Sequence, residues 1–115
     1  MHTRHQQNTK DADTMKILRD GENLSLSNIR QLDVVTSQSF RSRVKAALPD
    51  HVRRIDIDLT RTQMDCGGVG ALVALRKSAR EQNNDVAIYL VNPSASVRRL
   101  FSLTRMDRLF PIELR

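Results

Sequence analysis

Residues 55–82 read IDIDLTRTQMDCGGVGALVALRKSAREQ, and this stretch decides the fold. Ile55, Ile57 and Leu59 alternate with Asp56 and Asp58, the period of a strand with one apolar face. The glycine-rich segment from Asp65 to Gly70 then leads into a helix predicted over residues 69–82. Leu72, Leu75 and Ala79 form its apolar stripe, and Arg76, Lys77, Arg80 and Glu81 its wet side.

Working outward, residues 86–91 are a continuous apolar run, as expected of a strand covered on both faces. Asn83-Asn84 before it can take the left-handed conformation that ends a helix. Asn92-Pro93-Ser94 opens a third helix with Val97, Leu100, Phe101 and Thr104 on one face, and residues 110–114 suit a short edge strand. Toward the N-terminus, a helix over residues 33–48 carries Phe40, Val44, Ala47 and Leu48 at i, i+4, i+7, i+8. Asp33 suits its N-cap and Pro49 stops it. Met15 and Ile17, then Leu24 and Leu26, sit in two alternating runs separated by Asp20-Gly21, a hairpin signal. The predicted order is a β-hairpin followed by α, β, α, β, α and a short β. Strands alternating with helices imply crossover connections and a mostly parallel sheet with an antiparallel hairpin at its edge.

Composition narrows the function. The 115 residues suit one domain, and 39% apolar with 28% charged residues is ordinary for a globular protein. No apolar run is long enough to span a bilayer, and residues 1–10 lack the hydrophobic segment of a secretory signal. A lone cysteine, Cys66, provides no disulfide framework and fits a reducing compartment, so a cytoplasmic protein is expected. Residues 1–14 read as a disordered N-terminal tail, and its His2 and His5 are too few ligands for a metal site.

The net charge of +6 raises nucleic acid as a partner. The arginines are scattered, however, and Phe40, Tyr89, Phe101 and Phe110 are too few to stack bases, so solvated helix faces explain the charge better. Gly67-Gly68-Val69-Gly70 lacks the lysine and hydroxyl of a phosphate-binding loop, and its glycines suit a tight strand-to-helix turn and a partner's close approach. The nearest histidine to Cys66 is His51, which gives no catalytic pair; Cys66 is expected to be buried or half-buried. Asp56 and Asp58 share one strand face without sign of an acid–base cleft. Neither a catalytic residue, a metal site nor a cofactor is predicted.

Three stretches together resemble the STAS domain family, whose best-known members are bacterial anti-sigma factor antagonists. Asp58-Leu59-Thr60 with Met64-Asp65-Cys66-Gly67-Gly68-Val69-Gly70 is similar to the family's Asp-Leu-Ser strand end and Asp-Ser-Ser-Gly-Leu-Gly loop. Residues 71–80 are similar to its following helix. Leu90-Val91-Asn92-Pro93-Ser94, Val97-Arg98-Arg99-Leu100 and Met106-Asp107-Arg108-Leu109-Phe110 are similar to its ending. The resemblance implies an α/β STAS fold over residues 15–115. Its four- to five-stranded sheet is mostly parallel, with an antiparallel N-terminal hairpin and helices packed on one side. It also implies a non-enzymatic regulator that binds a kinase-like anti-sigma factor through the loop before the second helix. In the antagonists, the second serine of that loop is phosphorylated by this partner. Asp33 corresponds to a family aspartate near the loop. The partner surface implied is Asp33, Asp65, Cys66, Gly67, Gly68 and Val69, with Arg76 or Arg80 steering an acidic partner.

One departure matters. The phosphoacceptor position falls on Gly67, which has no hydroxyl, and Cys66 replaces the serine before it. The stretch between Leu59 and Asp65 is one residue shorter than usual, yet sliding it supplies no serine. Thr60, Thr62 and Ser78 are nearby hydroxyls that the motif does not favour as replacements. An anion-friendly helix start is expected to remain, with nothing covalent to place on it. A second branch of the family, the STAS subunits of bacterial lipid-transport ABC systems, often carries glycine or alanine here. An accessory subunit bound to such a permease and ATPase is the alternative reading.

Overall fold

The structure, a computed structural model, describes residues 14–115; the expected tail with His2 and His5 lies outside the described residues, Thr14 excepted. Among the described residues, five strands form the main sheet: β1 (Lys16–Asp20), β2 (Asn23–Ser27), β4 (Arg54–Asp58), β6 (Ala87–Val91) and β7 (Ile112–Glu113), in the spatial order β1-β2-β4-β6-β7. Only the β1–β2 pair is antiparallel. A separate pair of two-residue strands, β3 (Gln31–Leu32) and β5 (Gln63–Met64), runs parallel. Among the described residues the helices are α1 (Ser37–Ala47), α2 (Cys66–Gln82) and α3 (Ala95–Thr104), followed by a 3-10 turn at Met106–Arg108.

Alternation explains the layers. Leu24, Ile55 and Ile88 stand in register on one sheet face, as do Leu26, Ile57 and Leu90. They are buried in one cluster with Phe40 and Val44 of α1, Leu72 and Leu75 of α2, and Val97 and Phe101 of α3. These three helices therefore cover that face. The other face carries the row Ser25, Asp56 and Tyr89. Here Arg54 stacks 4.1 Å from the Tyr89 ring centroid and pairs with Asp56 at 3.0 Å. Arg115 pairs with Glu113 at 2.6 Å, and that hydrogen bond is the main reason its guanidinium pKa is raised.

Five details differ from the sequence reading, each for a local reason. The hairpin turn is Gly21-Glu22 rather than Asp20-Gly21, because only Gly21 (φ +62°) takes positive φ, as the first central residue of a type II′ turn does. The first helix begins at Ser37, not at 33. Residues 33–36 form a single turn in which the Asp33 carboxylate accepts from Val35 N–H (2.9 Å) and Thr36 N–H (3.0 Å). The second helix begins three residues early, at Cys66, because the glycines are its first turn rather than a connector. Asn83 is extended, not left-handed; it closes α2 by donating its side-chain amide to Val52 C=O at 3.0 Å. Residues 87–91 are fully covered on one face, whereas on the other Val91 is buried but Ala87 and Tyr89 are half-buried, Tyr89 beneath Arg54.

Ile57 lies on the central strand with 0% exposure, so Ile57→Ala should cost about 3 kcal/mol of unfolding free energy in a denaturant titration. A loss below about 1 kcal/mol would contradict this assignment of the core.

Candidate functional site

The site forms where two loops are drawn together at one end of the sheet. Thr62 is buried, and its hydroxyl donates to Ile29 C=O at 2.6 Å, tying the β4–β5 loop to the β2–β3 loop. The β3–β5 ladder continues the link, with Gln31 opposite Gln63 and Leu32 opposite Met64. Asp65 N–H then reaches Leu32 C=O at 3.4 Å. The turn at residues 33–36 is thereby laid against the first turn of α2. It is held reciprocally, because the Thr36 hydroxyl accepts from Asp33 N–H at 3.0 Å while Asp33 accepts from Thr36.

Asp65 caps α2. Its carboxylate accepts from Gly67 N–H (2.8 Å) and Gly68 N–H (3.3 Å). The helix start expected to stay anion-friendly is thus filled by the chain's own carboxylate, which occupies these donors as the N-cap. Cys66 follows as an exposed first helical residue, not the half-buried one expected. His51 precedes β4 while Cys66 follows it, so a strand about 16 Å long separates them and they form no Cys–His pair.

The glycines are required by close approach of this chain's own backbone. A Cβ on Gly67 would lie 2.5 Å from Val34 N and 2.7 Å from Val34 Cα. A Cβ on Gly68 would strike the Leu32 carbonyl oxygen and lie 2.6 Å from Met64 Cγ. All three distances are far inside van der Waals contact. Gly70, by contrast, faces open space, and a Cβ there would meet nothing within 4 Å.

Asp33, Asp65, Cys66, Gly67, Gly68 and Val69 thus converge on one junction. Arg76 and Arg80 do not join it. At 1.5 Å per residue they stand roughly 13 and 20 Å along α2 from Gly67, and Arg80 hydrogen-bonds Asn84 at 3.0 Å. Thr62 is committed to Ile29, and the Thr60 hydroxyl donates to Asp58, at 2.6 Å. Val34 and Val35 are the residues missed: they are 73% and 72% exposed on the turn that covers Gly67. Their signal was two adjacent apolar residues just after Asp33, where a helix beginning at 33 would hide one of them. Val34 also opens a groove of about 460 Å³ between α1 and α2, lined by Arg41, Lys45, Ala74 and Ser78 among others.

A family model described as the STAS domain matches residues 15–115. No curated protein matches. A Thermotoga maritima protein assigned as an anti-sigma factor antagonist is 21% identical, with a TM-score of 0.76 over 90% of this chain and 88% of its own. An anti-sigma factor antagonist from Mycobacterium paratuberculosis is 21% identical, with a TM-score of 0.68 over 87% and 84%. The Bacillus cell fate determinant SpoIIAA, in its phosphorylated form, is 17% identical, with a TM-score of 0.63 over 85% and 89%. At these identities the likeness is one of fold.

The two helical glycines should separate in a stability measurement. Gly68→Ala is expected to lose about 2 kcal/mol by overpacking against Leu32, whereas Gly70→Ala gains about 0.5–1 kcal/mol from helix propensity. Equal effects in parallel denaturant titrations would mean that the β3 backbone does not rest on α2.

Proposed function

The chain belongs to the STAS domain family, and from that premise we propose that it is a non-enzymatic docking module that binds a kinase-like anti-sigma factor or a related regulator in the cytoplasm. The observation that carries this reading is the junction itself. An apolar pair, Val34 and Val35, stands in solvent beside the capped start of α2, at the loop where the family's antagonists carry their regulatory serine. Exposed apolar residues on an ordered, polar-rimmed surface are the usual anchors of a protein interface.

Gly67 makes the surface permanently one state. The position has no hydroxyl, and Val34 backbone fills the space where a side chain would start. Phosphorylation at that site therefore cannot repel a partner, and the module binds without the switch. Arg41 and Lys45 in the adjoining groove give the surface a positive flank suited to an acidic segment of the partner, nearer the junction than Arg80. No direct insertion into a membrane and no nucleic-acid partner enter this reading; no helix among the described residues is long and apolar enough to cross a bilayer.

The test is affinity capture of the tagged chain from lysate of its source organism, membranes included, beside the Val34→Asp/Val35→Asp variant. Both side chains are exposed, so the variant should fold normally and lose the partner. A histidine-kinase-like ATPase retained by the wild type and lost by the variant is the expected result. Incubation of that complex with ATP should leave the mass of the chain unchanged. Recovery of a permease and an ABC ATPase instead would assign the chain to the lipid-transport branch. Gly67→Asp is a poor substitute, because a new Cβ meets Val34 backbone and disturbs the surface whatever its charge.

A further inference from the structure

We propose that β1 pairs with β1 of a second copy of this chain, joining two five-stranded sheets into one across a two-fold axis at Leu18. β1 is an edge strand, and its outer side has no strand beside it among the described residues. Leu18 sits at its centre, 68% exposed. Lys16 and Asp20 flank Leu18 on the same face and make no ion pair among the described residues.

Backbone geometry limits how such an edge can pair. The two-residue turn closes on Asp20 opposite Asn23, a hydrogen-bonded pair in hairpins of this length. By alternation, the N–H and C=O groups of Asp20, Leu18 and Lys16 turn toward β2, and those of Ile17 and Arg19 turn outward. An antiparallel, two-fold partner must therefore place outward residues opposite outward residues. Centring the axis on Leu18 does so, with Ile17 opposite Arg19 of the second copy.

The side chains select the same register. Lys16 then stands opposite Asp20 of the second copy, twice by symmetry, and Leu18 stands opposite Leu18. These are non-hydrogen-bonded pairs, in which side chains approach most closely. Sliding the strands by two residues opposes Arg19 to Arg19 in one direction, and Lys16 to Leu18 in the other. Charges on an edge strand ordinarily keep other strands away. Here their sign reverses across the two-fold axis, so the same charges attract. Five residues bury less area than a stable dimer needs, so the association is weak and concentration-dependent.

The experiment is sedimentation equilibrium on the full chain, from low micromolar to near-millimolar concentration, with Lys16→Asp, Asp20→Lys, the double variant and Leu18→Lys. The wild type should pass from monomer to dimer as concentration rises. Each single reversal makes both symmetry-related pairs repulsive and should weaken dimerisation about tenfold, while the double swap restores it. Leu18→Lys should abolish it, and it carries the test alone if a charge variant fails to fold by circular dichroism. A wild type that stays monomeric throughout overturns the proposal. So does a dimer indifferent to Leu18→Lys, or folded single variants that the double swap does not rescue.

Discussion

Everything distinctive about this molecule depends on two backbones lying closer than a side chain allows. The Leu32 carbonyl and the Val34 amide rest on the first turn of α2, where a Cβ at 67 or 68 would collide. Glycine at both positions permits that approach, and the Asp65 cap lets the helix start there. Once made, the contact fixes the rest of the junction. It sets the β3–β5 register, aligns the Asp33–Thr36 turn, and leaves Val34 and Val35 no inward direction. The exposed apolar pair is thus a consequence of the glycines rather than an independent feature.

The sheet has a division of labour. Its inner face is held by aliphatic packing that runs through Leu24, Ile55 and Ile88 and through Leu26, Ile57 and Leu90. Its outer face is held by Arg54, Asp56, Glu113 and Arg115, half-exposed ion pairs that contribute little energy individually. Burying the aliphatic face supplies most of the stability. The outer face instead presents charged and polar side chains, with no helix of the described residues packed on it. The junction around Gly67 and Val34 belongs to neither face.

Much of the fold was legible from periodicity. Ile55, Ile57 and Leu59 alternate, Phe40 and Val44 recur at helical spacing, and Gly21 marks the hairpin. The two-residue strands β3 and β5 were not legible, because two residues show no period and their pairing is set by a distant partner. The helix start at Cys66 was hidden by Gly67 and Gly68, which read locally as helix breakers although Asp65 and packing override them. Asn83 carried the right stop signal with the wrong geometry. Asp33 and Asp65 were brought together by the family resemblance, whereas Val34, Val35, Arg41 and Lys45 needed coordinates. The sequence indicates that Gly67 lacks a hydroxyl; only the structure adds that it lacks room for one.

The central claim is that Gly67 is closed by the chain's own backbone, and a crystal structure of Gly67→Ser tests it most directly. The segment at residues 32–34 must then move away from α2, with the Leu32–Met64 pairing opened or shifted. A serine accommodated with that segment unmoved would contradict the claim, and would return the position to an ordinary site for a phosphate.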